Sequence, residues 1–266
     1  MNVNGYETKA SALRALRAKG HKFVGLLTAP ESNPKVYKNM KSGVMTSPLH
    51  LAPASVSGWN VCPQASEGCI AACLHTAGNP AYMAQKFNSR NDKTRAYIEN
   101  RAAFMALLVL EIAALERKAA KMDMACGVRL NATSDIAWER VPVTVDGVKF
   151  TNVMTAFPEI TFYDYTKVTK RAMAFANKSP RWPSNYHITF SKSETNYSDV
   201  TKVLKAGGNV AAVFEKALPD TWQGVPVING DETDFRPHDG IGVIAGLKAK
   251  GDAKSDESGF VIRGAV

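Results

Sequence analysis

Residues 186–214, YHITFSKSETNYSDVTKVLKAGGNVAAVF, read as a strand, a helix and a second strand. The runs 187–190 and 209–214 are short and apolar, with the β-branched and aromatic content of buried strands. Between them, residues 193–206 have helical spacing; Ser191 with Glu194 resembles a capping box, and Gly207–Gly208 supplies a stop. Strands joined through a helix pair in parallel, because only a crossover returns the chain to the same end of the sheet. The alternation extends in both directions, with strands at 127–131, 160–165, 225–228 and 242–246 and a helix over 168–177. Six such strands, with one or two more before them, predict an α/β fold: a complete or partial (β/α) barrel of the TIM type. A doubly wound open sheet is the alternative.

Upstream, residues 82–122 carry the longest helical signal, weakened early by Asn88, Ser89 and Asn91, so one helix or two are expected. A short helix over 10–19 and an irregular, Pro- and Ser-rich stretch over 27–53 precede it. The expected division is a basic helix and extended arm over 1–50, then a barrel-like domain over 51–266. Residues 1–42 hold eight Lys or Arg against Glu7 and Glu31, and so supply six of the nine excess positive charges. Such an arm can neutralise phosphates and gain affinity by counterion release, which points to a nucleotide or nucleic-acid partner; a solvated surface helix is the plainer reading. At 45% hydrophobic and 21% charged residues, a disordered chain is excluded. The longest apolar run, 102–110, stops at Glu111, far short of the roughly 20 residues that span a bilayer. The N-terminus MNVNGYETKA has no apolar signal segment, so a soluble, cytoplasmic protein with reduced thiols is expected.

Of four cysteines, Cys62, Cys69 and Cys73 crowd into VCPQASEGCIAACLH. Three thiolates brought together favour a soft metal or an iron–sulfur centre. His75 offers a fourth ligand for a Cys₃His zinc site, though the cysteine gaps do not match short zinc knuckles. Disulfides are the remaining alternative and need an oxidising compartment. Cys126, just before a strand, reads as a core residue at the opposite end of the sheet.

In parallel α/β folds the residues following each strand converge on the active face. Here these include Asp135, Asp164, Lys167, Ser191, Glu194 and Asp231, which are the candidate catalytic residues and pocket wall. Asp231 and Asp234 in NGDETDFR alternatively suggest a Mg²⁺ site, or a wall in which Arg236 pairs with an acid. His238 is a weaker acid–base candidate, His187 reads as packing, and His21 and His50 give no signal.

The cysteine run, together with VRLNATSDIAWE (128–139), FYDYTK (162–167), YHITFSKSE (186–194), VINGDETDFR (227–236) and VIAGLKAKG (243–251), resembles a family of uncharacterised bacteriophage proteins related to the gene product eighty-eight group. That resemblance covers the chain from about His50 onward and implies a phage origin and a life in the host cytoplasm. More distantly, the order of cysteine loop, helix and β/α units is similar to radical-SAM enzymes. This likeness implies a [4Fe–4S] cluster on Cys62, Cys69 and Cys73, with S-adenosylmethionine at the remaining iron. The gaps 63–68 and 70–72 are longer than in that superfamily, and NATSD (131–135) stands in place of its glycine-rich segment. The expectation is therefore an iron–sulfur enzyme acting on a nucleotide or nucleic acid. A metal-stabilised nucleic-acid- or protein-binding regulator and a zinc-dependent base-exchange enzyme are the alternatives.

Overall fold

In the computed structural model of the chain, residues 1–32, 34–74 and 83–264 are described. Helix α1 (Lys9–Ala18) starts at Thr8, whose hydroxyl accepts from Ser11 N while Thr8 N donates to Ser11 Oγ. It is followed by α2 (Pro34–Met40), strand β1 (Val44–Pro48) and the short helix α3 (Glu67–Ala71). Two long helices come next, α4 (Met83–Glu99) and α5 (Arg101–Lys121). The helical stretch is thus two helices, but the break falls at Asn100, not near Asn88. Asn100 donates from Nδ2 to His21 Nε2 at 3.0 Å, and the other nitrogen of that ring meets Asp92 Oδ1 at 2.7 Å. A tertiary contact therefore sets the break.

Strand β2 (Ala125–Arg129) leads to an antiparallel hairpin, β3 (Val143–Val145) with β4 (Val148–Phe150), and the short helix α6 (Val153–Ala156). The strand–helix alternation then runs β5 (Thr161–Thr166), α7 (Thr169–Ala176), β6 (Tyr186–Ser191), α8 (Tyr197–Lys205) and β7 (Asn209–Phe214). After it come a small hairpin, β8 (Thr221–Trp222) with β9 (Val225–Asn229), then β10 (Ile244–Lys248) and β11 (Val261–Ile262). The expected capping box is not formed. Ser191 ends β6, α8 starts after Asn196, and Glu194 is engaged elsewhere.

The central sheet has the order β1-β2-β5-β6-β7-β10-β9-β8, parallel throughout except for the β8–β9 pair. β11 pairs with Val213 and Phe214 of β7, past the point where β6 stops pairing with it. Side chains alternate across this sheet as the pleat requires. Met45, Val128, Phe162, Phe190, Val210 and Ile244 join the main core with α1 and α5, whereas Val44 and Tyr163 pack on Phe235 at the other face. The strand path does not return on itself among the described residues: β1 pairs with β2 and β8 with β9, so the sheet is open rather than a closed ring.

The basic segment 1–50 is built into this body. Ala12 and Leu16 of α1 are buried in the main core, and β1 is an edge strand of the sheet. β1 is one of the one or two strands expected before the long helix, but its place was not read because VMTSP carries two hydroxyls and a proline, yet all five residues are buried. Asn39, fully buried, explains how: its Nδ2 donates to Thr46 Oγ1 at 2.8 Å. Its Oδ1 accepts from Thr233 Oγ1 at 2.8 Å and from Asp234 N at 3.0 Å. Side-chain bonds thereby link β1 to the segment after β9, where a closed barrel would have a ladder. Asn39→Ala removes three hydrogen bonds and strands their partners, and should cost about 2–4 kcal/mol in urea unfolding. A loss below about 1 kcal/mol would contradict this role.

Candidate functional site

A cavity of about 230 Å³ lies over the carboxyl ends of β2, β5, β6, β7 and β10. Cys62, Cys69 and Cys73 line it from one side; Arg129, Asp135, Lys167, Ser191, Asp231 and Lys250 line it from the sheet. The loop after β1 is thus the lid of the cavity and carries all its thiols. No disulfide joins the four cysteines among the described residues; the cavity three are half-buried and Cys126 is buried in the core as expected. Burial pushes the Cys126 thiol up to about 12, with Glu116 adding to the effect.

The lid has little regular structure, and side chains hold it. Ser66 caps α3 by accepting from Cys69 N at 3.2 Å. The Ser66 hydroxyl and Gly68 N each donate to the Glu194 carboxylate at 2.8 Å. Burial opposes ionisation of Glu194, but its own backbone, the Ser66 hydroxyl and the Gly68 N–H together hold its carboxyl below the usual range. A Cβ on Gly68 would stand 2.1 Å from Ser258 Oγ and 2.9 Å from Phe260 Cβ, so only glycine allows α3 to approach the C-terminal segment this closely. Cys62 Sγ accepts from Ala54 N at 3.2 Å, and Asp135 N donates to Val61 O at 2.8 Å.

Burial pushes the Cys62 thiol up to about 11, against the Ala54 N–H, while the charges of Asp135, Cys73 and Cys69 add to the rise. A thiol so placed stays protonated near neutral pH unless a cation displaces the proton. Thiol donors of this kind suit a soft metal or cluster. Among the described residues, however, no three His, Cys, Asp or Glu side chains are grouped to hold a metal ion. Holding one would draw α3 and the Cys62 turn together. His75, the expected zinc partner, lies outside the described residues.

The predicted wall is only partly assembled. Lys167 Nζ donates to Ser191 Oγ at 3.0 Å, and both line the cavity. Asp231 receives Lys250 Nζ at 2.6 Å and Lys248 N at 3.0 Å. Asp135 is a buried acceptor for Thr166 Oγ1 at 2.7 Å, Lys167 N at 2.8 Å and Arg171 Nη1 at 2.5 Å. Arg171 in turn forks onto Glu139 with two bonds of 3.0 Å. Two expectations are corrected. Glu194 anchors the lid from outside the cavity, and Asp164 does not line it but faces the helices beside Phe162. Asp164 accepts from Asn131 N at 2.6 Å and from Tyr186 OH at 2.7 Å. Its burial outweighs these bonds and pushes its carboxyl up to about 7.

Asp231 and Asp234 do not form a joint cation site. Asp234 takes Arg129 Nη1 at 2.9 and 3.0 Å, while Asp231 serves the lysines. Arg236 does pair with an acid, Asp239, at 3.2 Å. His238 packs on Phe235 and His187 on Phe175. Lys248 and Lys250, which follow the last predicted strand, line the cavity as that reading expects, whereas Arg129 and Phe260 were missed. Arg129 had a signal, being a charge inside an otherwise apolar strand.

These features define an α/β protein with an open, mostly parallel sheet and a thiol-lined cavity at its carboxyl edge. The chain belongs to a bacteriophage protein family, described as Gene product 88, whose model matches residues 14–264. Compared with curated proteins and with solved structures, the chain has no match. Among the described residues, no helix is long and apolar enough to cross a membrane.

Asp164 gives a pH signature. Its carboxyl ionises near 7 when folded and near ~4 when unfolded, so the fold holds more protons between those values. Its contribution is full below about pH 4 and is lost as pH rises through 7. Asp164→Asn should flatten the decline in stability over that window in urea titrations at stepped pH. A variant with the wild-type slope would refute the assignment.

Proposed function

We propose that this protein is an iron–sulfur enzyme on a partial (β/α) barrel, with a [4Fe–4S] cluster on Cys62, Cys69 and Cys73 and a nucleotide or nucleic-acid substrate beneath it. One observation carries this reading: all three thiols of the lid and the ionisable ends of four strands line the same cavity. Strands in sequential order from β1 to β7 and a cysteine loop directly after β1 also support it, since both belong to the barrel plan implied by the radical-SAM likeness. When bound, the cluster would supply one-electron chemistry. S-adenosylmethionine is the co-substrate that the same likeness suggests.

The chain's own residues suit binding and positioning of an anionic group. Lys167 has no carboxylate within ion-pair distance among the described residues, and Ser191 holds its ammonium toward the cavity. A phosphate there would gain a charge-assisted hydrogen bond. Lys250, steered by Asp231, stands across the cavity as a second cation. Asp135, fixed by Arg171, orients the Lys167 backbone and is a positioning residue. The basic 1–42 segment reaches the rim where Lys38 Nζ donates to Asp231 O at 2.9 Å, which offers further cations to a longer nucleic acid. Reduced thiols accord with the host cytoplasm.

Anaerobic reconstitution with iron and sulfide tests the reading. It should give a brown protein with about four iron per chain. Cys62→Ser, Cys69→Ser and Cys73→Ser should each lose most of that iron, and Cys126→Ser should keep it. A colourless, iron-free product, or a requirement for Cys126, would reject the proposal. Lys167→Ala should raise the dissociation constant of a nucleoside triphosphate at least tenfold, and unchanged binding would remove that substrate class.

A further inference from the structure

The segment after β10 closes on itself. Ala249 N donates to Phe214 O at 2.8 Å, and β11 pairs with Val213 and Phe214, so both ends of residues 250–260 are tied to the end of β7. Between these ties the chain is held by its own groups. The Asp256 carboxylate accepts from Ser258 Oγ at 2.6 Å and from Val261 N at 2.9 Å. Arg263 clasps Asp256 O with bonds of 3.0 and 2.6 Å. Gly251 and Gly259 take positive φ of 56° and 90° near the two ends, where the chain must turn sharply. A compact loop with adjacent ends and internal bonds is an Ω-loop, and a few residues at its base can serve as its hinge.

This loop covers the thiol-lined cavity. Ala253 and Phe260 line it, and they join Ala72, Ala249 and Val261 in a small apolar cluster against which Cys69 packs. The cluster is separate from the main core and three of its five buried members are alanines, so little apolar surface opposes its opening. Gly68 of α3 is pressed onto Ser258 and Phe260, and no residue of α3 belongs to the main core. From the body, one connection holds both pieces: Lys192 Nζ donates to Gly259 O and to Phe260 O, and Glu194 accepts from Ser66 and Gly68. That connection is fixed, because Lys192 N donates to Ala211 O at 2.9 Å and Asn196 bonds to both Ser193 N and Ser191 O. Cys62 sits on the body instead. Its Sγ accepts from Ala54 N, and the adjacent Val61 is bonded to Ala54 O and to Asp135 N.

We propose that residues 250–260 and α3 open together as the gate of the thiol-lined cavity, and that a metal held by thiols of both walls, Cys69 on the gate and Cys62 on the body, keeps it shut. The proposal rests on that cavity being the working site, as inferred above, but not on the identity of the metal centre. A ligand that binds only the closed form must suppress opening throughout the unit, including parts that it does not touch.

Hydrogen–deuterium exchange on the reduced full chain, with and without Cd²⁺, tests it. One equivalent of Cd²⁺ should slow exchange roughly fivefold or more in 66–73 and also in 251–261, a stretch that holds no cysteine. Lys192→Ala, which releases Gly259 O and Phe260 O, should speed alkylation of Cys69 by iodoacetamide roughly fivefold or more in the metal-free chain and leave Cys62 within about twofold. The Cd²⁺ comparison stands even if that variant fails to fold. Protection confined to the cysteine segment, or equal acceleration at Cys62 and Cys69, would overturn the gate. A chain that takes up no iron and sulfide but whose 251–261 segment responds to Cd²⁺ would reject the cluster reading alone.

Discussion

The Glu194 carboxylate, accepting from the Ser66 hydroxyl and the Gly68 N–H, is the contact on which the site depends. Between β1 and α4 the described lid contains one helix of five residues, too short to hold itself in place. Its position comes from bonds to distant segments. Glu194 reaches it from the β6–α8 connection, and the C-terminal segment presses on Gly68 through Ser258 and Phe260. Lys192, two residues before Glu194, donates to Gly259 O and Phe260 O and so fixes that same segment. Three regions far apart in the chain thus set where the thiols face.

Beneath the lid, the sheet resolves two opposing demands. Its carboxyl ends must be polar to line a cavity, and its core must be dry. Buried charges are tolerated only when paired and hydrogen-bonded. The network that joins Asp135, Arg171, Glu139, Tyr186 and Asp164 meets that condition, each member being bonded to at least one other. Arg129 with Asp234 does the same on the opposite face, with the guanidinium 4.6 Å over the Tyr165 ring. These pairs carry structure, and Lys167, Ser191 and Lys250 line the cavity outside them.

Much of this arrangement was legible in the residues. The strand 209–214 was read to the residue because Gly207 and Gly208 mark its start and its interior is wholly apolar. That the three cysteines line one cavity follows from their crowding in one loop, although they are not grouped as a metal site among the described residues. Asp164 was misplaced because polarity was weighed and strand parity was not: it shares the face of Phe162, whereas Tyr163 and Tyr165 look the other way. Glu194 was read against its neighbour Ser191, but its partners lie more than a hundred residues away. β1 was not located for the same reason, since its Thr46 hydroxyl is satisfied by Asn39 outside the strand. Sequence patterns report local periodicity, and these errors fall where a long-range hydrogen bond decides the outcome.

The central claim is that three thiols of one lid line a single cavity and can be drawn onto one metal centre. Titration of the reduced chain with Cd²⁺, followed by counting reactive thiols with a chromogenic disulfide, tests it directly. One equivalent of metal should protect three thiols per chain and raise a thiolate-to-metal charge-transfer band. Protection of one thiol or none, or recovery of the lid cysteines as a disulfide, would contradict the account.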